Sequence, residues 1–335
     1  MMDDPTMNRR ALLGAVSVVA TGAATLAHAQ AQAPAPGSLK GRTILITGSS
    51  SGFGRLSALH LADLGATVVA SMRNLDGGRR PEAVSLLSEA KGKPGQVHVV
   101  EIDVTKPDQV KAGVAQAEKI AGGGLDAVLS NAGVGISGPI ELHDETALDT
   151  EMQTNLLGGL RVARAALPGM RARGSGLLMP VSSQLGRMIL PNIGAYCSGK
   201  WGLEAAFEAM AYELAPFGVE VTIIEPGGYP TRIWETGARA VEAMLARNEP
   251  ERVKAYEQHI AMTRATMTGP RDSDPADVAR AVAELVALPN GQRPLRRPVH
   301  PNTAMTQAVN KAMAGFQAQV LGQGPYAAWH KAVTS

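Results

Sequence analysis

The chain has little cysteine, little net charge and no clustered metal ligands. Its one cysteine, Cys197, excludes an internal disulfide, even in an oxidising compartment. No cysteines and histidines stand at the spacing of a zinc site, so we expect no metal ion. A formal net charge of +2 over 335 residues gives no reason to expect nucleic acid as a partner. The short basic run at 293–297 is interpreted as a solvated edge near the last strand.

Long apolar runs are also missing. The run at 11–26 is mildly apolar, and it is too short and too rich in alanine for a comfortable membrane span. There are no internal repeats. The hydrophobic fraction of 45% nevertheless permits a sizeable core, and the length suits one α/β domain with elaborations.

A glycine-rich turn follows the first strand-like run. Residues 42–47 are apolar and β-branched, as in a buried parallel strand, and apolar residues then recur at helical spacing over 56–64. Gly48 lets the chain turn, Gly52 lets the backbone approach a pyrophosphate, and Gly54 lets the helix pack close to the strand. The free N–H groups of the helix N-terminus would face the phosphates. Glycine-rich loops also make ordinary turns, but this position favours a dinucleotide site.

The end of the second strand distinguishes the two nicotinamide dinucleotides. A predicted strand at 66–71 runs into Met72, Arg73 and Asn74, where an acid would be needed to bind the ribose 2′-hydroxyl of NAD. A guanidinium in that place suits a 2′-phosphate instead. The sequence therefore favours NADP(H) over NAD(H), with a surface arginine at a strand end as the alternative interpretation.

Two further predicted strands end in polar or small residues. The run 97–104 predicts a third strand, and Asp103 near its end either contacts the adenine side of a cofactor or caps the next helix. The fourth strand, 125–130, is followed by the small residues 131–133, which keep the backbone close to whatever lies over the strand ends. The amide of Asn131 can also join neighbouring strands by hydrogen bonds.

Tyr196 and Lys200 stand four residues apart on one predicted helix, and Ser183 precedes Tyr196 by thirteen residues. At this spacing the ammonium lies on the same helix face as the phenol, and a nearby positive charge favours the phenolate. Tyr196 can then give a proton to a forming alkoxide or take one from an alcohol. Ser183 can donate a hydrogen bond to the substrate oxygen. Pro180 removes a ladder donor from the predicted central strand 176–182, so we expect an irregular geometry under Ser183.

In this order the motifs resemble those of the short-chain dehydrogenase/reductase family. They are TGxxxGxG from Thr47, NAG from Asn131, the serine, YxxxK from Tyr196 and PGxxxT from Pro226, and the match covers roughly 40–300. The resemblance implies an α/β fold, with a single Rossmann-type doubly wound parallel sheet of about seven strands and helices on both faces. It also implies a nicotinamide cofactor and a serine–tyrosine–lysine centre with a helper asparagine.

The strand ends and the matched motif positions together give the predicted site. We expect Asn155 to hold a water that links Lys200 to solvent. The predicted catalytic residues are Asn155, Ser183, Tyr196 and Lys200. The predicted cofactor-binding residues are Gly48, Ser50, Ser51, Gly52, Phe53, Gly54, Arg73, Asp103, Val104, Asn131, Ala132, Gly133, Tyr196, Lys200, Pro226, Gly227 and Thr231.

The N-terminus predicts export. Arg9 and Arg10 precede the mildly apolar run, and residues 27–29 form a small-x-small cleavage site. Twin arginines resemble the signals of bacterial proteins that are exported already folded, which suits a protein that loads a dinucleotide in the cytoplasm. We therefore expect a periplasmic mature protein with no stable membrane span. An ordinary signal, a retained membrane anchor and a cytoplasmic protein are the alternatives.

The chain divides into a twin-arginine-type signal peptide at 1–29, a linker at 30–39, a Rossmann domain at 40–301 with a substrate lid at about 228–270, and a C-terminal helical extension at 302–335. Apolar and flexible side chains mark the lid, although such residues are more often plain core. They are Tyr229, Trp234, Met244, Tyr256, Met262 and Met267.

These features predict an NADP(H)-dependent carbonyl reductase or alcohol dehydrogenase with Tyr196 as the general acid and base. The substrate would be a small carbonyl or alcohol compound of apolar character, and we expect a homodimer or homotetramer. Two alternatives stand, an epimerase or dehydratase on the same fold and an NADP-sensing binding protein without turnover. The intact Ser183, Tyr196 and Lys200 argue against a sensor, because a sensor has no need for them.

Overall fold

Strands and helices alternate along residues 34–35 and 37–334, the part of the chain that a computed structural model describes. The predicted signal peptide, 1–29, residues 30–33 and 36 of the predicted linker, and residue 335 of the predicted extension lie outside the described residues. The strands are β1 (Thr43–Ile46), β2 (Thr67–Met72), β3 (Gln96–Glu101), β4 (Ala127–Ser130), β5 (Gly176–Pro180), β6 (Val219–Val221), β7 (Ile223–Pro226) and β8 (Arg296–Val299).

Helices connect the strands and continue beyond them. The helices are α1 (Gly52–Asp63), α2 (Pro81–Ala90), α3 (Pro107–Ala121), α4 (Glu145–Glu151), α5 (Gly158–Arg173), α6 (Gly194–Leu214), α7 (Ile233–Leu245), α8 (Pro250–Ala255), α9 (Glu257–Thr268), α10 (Ala276–Ala287), α11 (Ala304–Leu321) and α12 (Ala327–Thr334). A π-helical segment, Met152–Leu157, joins α4 to α5.

Six strands form a parallel sheet in the order β3-β2-β1-β4-β5-β6, with β7 and β8 as a parallel pair beside it. Leu45 of β1, for example, lies between Val69 of β2 and Val128 of β4. This is the strand order of a doubly wound Rossmann-type fold. The predicted α/β class is therefore confirmed.

Helices cover both faces of the sheet because side chains alternate along its buried strands. Ile44 of β1 belongs to one apolar cluster with Val282 of α10. Its neighbour Leu45 belongs to the opposite cluster, with Val114 of α3 and Phe207 of α6. Burial of each such side chain contributes about 1.5–3 kcal/mol, so the two clusters hold α1 and α10 on one face and α3, α5 and α6 on the other.

The outer part of the sheet is interrupted beside Pro180, the last residue of β5. Thr222 donates its N–H to the carbonyl of Leu178 at 2.9 Å, and Ser182 donates to the carbonyl of Ile224 at 2.7 Å. Between these two bonds the register places the backbone nitrogen of Pro180 opposite the carbonyl of Thr222. Proline has no N–H, so this carbonyl has no donor from β5. The strand breaks at Thr222 into β6 and β7, and β7 pairs with β8. The predicted sheet of about seven strands is accordingly six-stranded, with the β7–β8 pair continuing beyond it.

The segment after β7 leaves the sheet and forms α7, α8 and α9 beside the strand ends. The buried side chains of these helices make a small separate cluster with residues that follow β4. They are Ile136, Leu142, Ala147, Val241, Met244, Leu245, Ile260 and Met267. Among the residues described, none of the helices has both the length and the apolar character that crossing a membrane requires.

The prediction that the basic run 293–297 forms a solvated edge is wrong. The side chain of Arg293 is only 5% exposed. Arg296 is 9% exposed and lies 2.9 Å from the carboxylate of Glu204 and 2.5 Å from that of Glu208. The run supplies arginines to a buried ionic cluster because α6 places two carboxylates beside β8, a contact that the local sequence does not reveal.

Candidate active site

A cavity of about 750 Å³ extends along the carboxyl ends of β1, β2, β4, β5 and β7, and α7 and α9 contribute its opposite wall. The structure brings all four predicted catalytic residues to this cavity. It also brings every predicted cofactor-binding residue except Gly54. The cofactor-binding residues in the wall are Gly48, Ser50, Ser51, Gly52, Phe53, Arg73, Asp103, Val104, Asn131, Ala132, Gly133, Tyr196, Lys200, Pro226, Gly227 and Thr231.

The glycine turn is held against the end of β4 by short polar contacts. The amide of Asn131 donates to the carbonyls of Thr47, at 2.9 Å, and Gly48, at 3.2 Å. In return, the Thr47 hydroxyl accepts the backbone N–H groups of Asn131 and Ala132. Gly48 has a φ of 70°, and a Cβ there would lie 2.8 Å from the Cα of Ala132. Only glycine therefore lets the two chain segments approach this closely.

Gly54 supports the turn from behind and is not part of the cavity wall. A Cβ on Gly54 would lie 2.5 Å from the amide nitrogen of Asn131 and 2.6 Å from the carbonyl oxygen of Gly48. The absence of a side chain lets α1 pack directly under the turn. The structure thus places Gly54 as the residue that permits close packing of helix and strand.

Two arginines lie where β2 ends at the cavity. Arg73 is exposed there, and Arg80, which the sequence prediction missed, donates a hydrogen bond to the Arg73 carbonyl. The guanidinium of Arg80 also lies 3.0 Å from the carboxylate of Glu82, at the start of α2. The signal that marks Arg80 in the sequence is its position directly before Pro81, which begins α2.

Asp103 faces the same end of the cavity. Its carboxylate accepts the N–H of Thr105 at 3.0 Å and the Thr105 hydroxyl at 2.7 Å. Burial opposes ionisation, but these bonds and the positive charges of Arg73 and Lys106 together hold the pKa of Asp103 below its usual value. Since the residue preceding α3 is Lys106, Asp103 fixes its own turn and does not cap that helix.

Ser183, Tyr196 and Lys200 converge at the other end of the cavity. The Lys200 Nζ lies 5.6 Å from the centroid of the Tyr196 ring and donates to the carbonyl of Val181 at 2.8 Å. The Ser183 Oγ accepts the N–H of Leu185 at 3.1 Å, which leaves its own proton to donate. The three groups therefore form one cluster of hydroxyl, phenol and ammonium beside the strand ends.

Burial changes the proton equilibria of this cluster. It raises the pKa of the Tyr196 phenol above its ordinary value, against a hydrogen bond with Ser183 that lowers it. It lowers the pKa of the Lys200 ammonium to about 8, against the negative charges of Glu151 and Glu204, which raise it. At neutral pH the cluster thus contains a protonated phenol beside a charged ammonium.

Asn155 lies in the π-helical segment, which is a common feature of functional sites. Its amide pairs with the backbone of Val134, accepting the N–H at 3.0 Å and donating to the carbonyl at 2.9 Å. It also donates to the carboxylate of Glu151. A Cβ on Gly133 would lie 3.1 Å from the Asn155 oxygen and 3.9 Å from the Nζ of Lys200, so the asparagine oxygen and the ammonium flank the same point.

The wall opposite the strand ends combines the apolar Ile233, Trp234 and Met267 with the polar Arg232, Thr236 and Arg239. The indole of Trp234 donates to the carbonyl of Tyr229 at 2.8 Å, and the guanidinium of Arg271 lies 3.4 Å from the indole ring centroid. Of the six predicted lid residues, Tyr229, Trp234 and Met267 line the cavity. The other apolar lining residues include Leu185, Met188, Leu190, Ile193 and Ile233.

The remaining predicted lid residues lie elsewhere. Met244 is fully buried in the small apolar cluster that α7 and α9 form with residues after β4. Met262 is 63% exposed. The Tyr256 hydroxyl donates to the carboxylate of Glu141 at 2.7 Å. Cys197, beside Tyr196, is a buried free thiol, and burial raises its pKa. A buried thiol with a raised pKa is a packing residue.

Known proteins resemble this chain in sequence and in structure. A family model described as short chain dehydrogenase matches residues 42–242. Human 17-beta-hydroxysteroid dehydrogenase type 1 is 34% identical over 222 residues, which are 65% of this chain and 66% of that enzyme. Human retinol dehydrogenase 8 is 30% identical over 260 residues, covering 76% of this chain and 80% of that enzyme. The crystal structure of a short-chain dehydrogenase from Streptomyces avermitilis superposes with a TM-score of 0.64 at 28% identity, covering 83% of this chain and 95% of that one.

Proposed function

Because the chain belongs to the short-chain dehydrogenase family, we propose that it is an NADP(H)-dependent oxidoreductase that interconverts a carbonyl and an alcohol by hydride transfer. The observation that carries this proposal is the position of Ser183, Tyr196 and Lys200 in the wall of a cavity that the glycine turn also lines. A dinucleotide site and a proton-transfer group therefore face the same space.

The residues at the glycine turn suit a dinucleotide. Gly48 and Gly52 have φ values of 70° and 55°, and Ser51, before α1, makes no side-chain bond to the helix N-terminus. The first N–H groups of α1 are thus available to a phosphate. In this proposal the turn holds the pyrophosphate, Arg73 holds a 2′-phosphate, and Asp103 lies on the adenine side. When bound, the reduced cofactor supplies the hydride.

The proposed reduction uses two side chains on the substrate oxygen and a third beside the phenol. Ser183 donates a hydrogen bond to that oxygen and holds it in place. Tyr196 gives its proton to the same oxygen as the carbon becomes an alcohol carbon, and the ammonium of Lys200 stabilises the phenolate that is left. The raised pKa of Tyr196 keeps that proton in place at neutral pH. Alcohol oxidation would use the same groups in reverse.

The apolar lining beside Tyr196 supports an apolar substrate. Met188, Leu190 and Ile193 come from the segment between Ser183 and α6, and Trp234 and Met267 come from the lid helices. The names of two related enzymes refer to a hydroxysteroid and to retinol. We therefore propose a largely apolar ketone, aldehyde or alcohol as the substrate class.

The test is turnover with a panel of ketones, aldehydes and alcohols that ranges from small polar compounds to steroid-sized ones, each with NADP(H) and with NAD(H). We expect turnover of apolar members, with kcat/KM for NADPH higher than for NADH by about tenfold or more, the value of one charge-assisted contact. Binding of NADPH without turnover of any member would contradict the proposal and favour a cofactor sensor.

We also propose that the chain is exported to the periplasm with its cofactor bound. The support is the sequence alone, namely Arg9, Arg10 and the cleavage site at 27–29. N-terminal sequencing after cell fractionation should find a mature protein that starts at Gln30. Changing both arginines to lysine should retain the precursor in the cytoplasm. A full-length cytoplasmic protein would contradict export and leave the catalytic proposal intact.

Assembly into a homodimer or homotetramer is a further part of the proposal. Apolar side chains exposed on α11, among them Phe316 at 60% and Val320 at 56%, support a contact with a second copy. Sedimentation equilibrium of the purified chain should give two or four times the monomer mass. A monomer at micromolar concentration would contradict it.

A further inference from the structure

Glu151 is a buried carboxylate behind the cluster of Ser183, Tyr196 and Lys200. It is the last residue of α4 and has no exposed surface. One carboxylate oxygen accepts the N–H of Ile136 at 2.5 Å, and the other accepts the amide of Asn155. Because an isolated buried charge is strongly unfavourable, a carboxylate in this position needs partners that compensate for the lost water.

The contacts of Glu151 fix the wall that faces the phenol. Asn155 holds the backbone of Val134 by two hydrogen bonds, and Glu151 holds the N–H of Ile136. The residue between them, Gly135, lines the cavity, and a Cβ there would lie 3.9 Å from the ring of Tyr196. The two side chains thus fasten the 134–136 segment on either side of the point where it meets the phenol.

Several ionisable groups surround this carboxylate. From α6, Lys200 attracts it, while Tyr196 and Cys197 feel its negative charge. From the loop after β4, His143 approaches the carbonyl of Ile136 at 3.1 Å, on the other side of the same peptide segment. Lys200 has one further carboxylate acting on it, Glu204.

The charge of Glu151 acts on both proton-transfer groups in the same direction. It raises the pKa of Lys200, against burial, and it raises the pKa of Tyr196 in addition to burial. Burial in turn raises the pKa of Glu151 itself to about 7, although the N–H of Ile136 and the charge of Lys200 lower it. Glu151 is therefore ionised above neutral pH, where the ammonium is otherwise closest to losing its proton.

We propose that Glu151 is a positioning residue for the proposed reaction, one that fastens the 134–136 wall through its bonds to Ile136 and Asn155 and places a negative charge behind the cluster of Ser183, Tyr196 and Lys200. This inference rests on the proposed function. Glu151 has no role in the motifs that identify the site, since it stands four residues before the matched asparagine. It acts through Asn155 and Lys200 and does not itself line the cavity.

The test is the pH profile of kcat/KM for carbonyl reduction, in which the active form has a protonated phenol and a charged ammonium. In Glu151→Gln the carboxylate charge is lost, so the pKa values of Tyr196 and Lys200 both fall. The alkaline limb should move to lower pH by about one unit, the effect of one nearby charge. Below pH 7 the charge should make no difference to kcat/KM between the two proteins, because Glu151 in the wild-type protein is then largely protonated.

Glu225→Gln is the matched control. Glu225 is equally buried, but its neighbours are Glu204, Asn310, Arg296 and Arg187, and it is not among the charges that shift the pKa of Lys200 or Tyr196. Its variant should keep the wild-type limb whatever its stability. If Glu151→Gln has the wild-type limb, or if both variants shift the limb alike, the inference is wrong.

A second variant covers the case in which Glu151→Gln does not fold. Glu151→Asp keeps the charge and shortens the reach of the carboxylate, so kcat should fall while the alkaline limb stays at its wild-type position. A displaced limb in this variant would overturn the role of the charge. The absence of turnover in the wild-type enzyme is a different result, because it would refute the proposed function itself.

Discussion

The two sides of the cavity are built in different ways. The nucleotide side, formed by 47–54, Arg73, Asp103 and 131–133, is held by short hydrogen bonds between buried groups; Thr47, for example, is 1% exposed. The lid side, formed by α7, α8 and α9, packs on Ile136, Leu142 and Ala147 through a small apolar cluster and is also linked to the body by ion pairs at the surface. Arg247 meets Asp144 at 2.5 Å, and the two side chains are 40% and 27% exposed.

This difference indicates which part of the site is rigid and which part adapts. Buried hydrogen bonds leave a large penalty when one partner is removed, whereas surface ion pairs contribute about 0–1 kcal/mol. A rigid wall suits a cofactor that is common to every reaction cycle. An adaptable wall suits a substrate that must enter and leave. Variants of the two sides should therefore differ in the size of the effect and in the ligand affected.

Tyr196→Phe should produce the largest effect, because Tyr196 stands where the two sides meet. The change removes only the transferable proton, so kcat should fall by ~10²–10⁴-fold while the affinity for NADPH stays the same. Tyr212→Phe, on the same helix but bonded to Glu208 at 3.0 Å, is the control and should retain full activity. A Tyr196→Phe enzyme with wild-type turnover would remove the proton-transfer role.

Arg73→Ala should affect only the nucleotide side, and only one cofactor. Loss of a charge-assisted contact with the 2′-phosphate should weaken NADPH by about 1.5–3 kcal/mol and leave NADH unchanged. Titration of both cofactors against the wild type and the variant measures this. Arg79→Ala is the control, since Arg79 is 78% exposed and pairs with Asp76. Equal weakening of the two cofactors would mean that Arg73 is structural.

Thr47→Val tests whether buried hydrogen bonds hold the nucleotide side. The isosteric change deprives the N–H of Ala132 of its acceptor and leaves the N–H of Asn131 with only the carbonyl of Leu129, so the free energy of unfolding should fall by about 1–3 kcal/mol. Denaturant titration measures it, with Thr43→Val on the same strand as the control. If the two variants were equally stable, the hydroxyl would have no special role in holding the turn.

Arg247→Ala should have the smallest effect, because it removes a surface pair of the lid. The same denaturant titration should show a loss of at most about 1 kcal/mol, and NADPH affinity should not change. Asp144 keeps its bond to the N–H of Ala147 at the start of α4. A loss larger than that of Thr47→Val would reverse the comparison between the two sides.

The sequence predicts which residues gather along the glycine-turn side of the cavity, because their contacts are local or come from strand ends that a parallel sheet brings together. The fold class was confirmed, and the predicted strand 66–71 is observed at Thr67–Met72. Gly48 and Asn131 indicate a close approach of two backbone segments, because a glycine and an amide side chain stand at the ends of strands that are adjacent in the sheet.

The parts that were missed depend on contacts between distant residues. Pro180 shows that one backbone N–H donor is missing from the sheet, but only the strand register shows that the carbonyl of Thr222 is left without it. Arg296 looks like a surface residue until α6 places two carboxylates beside it. Glu151 resembles any acid at the end of a helix, and its burial depends on how α4 packs against α6 and the loop after β4.

The central claim is that this chain moves a hydride from NADPH to a carbonyl carbon, with Tyr196 as the proton donor. The direct measurement uses NADPH with deuterium at the transferable nicotinamide position and an apolar ketone, followed by mass spectrometry of the product. We expect an alcohol with one deuterium on the former carbonyl carbon, and almost none of this product with Tyr196→Phe. An alcohol without deuterium, or the same yield from both proteins, would contradict it.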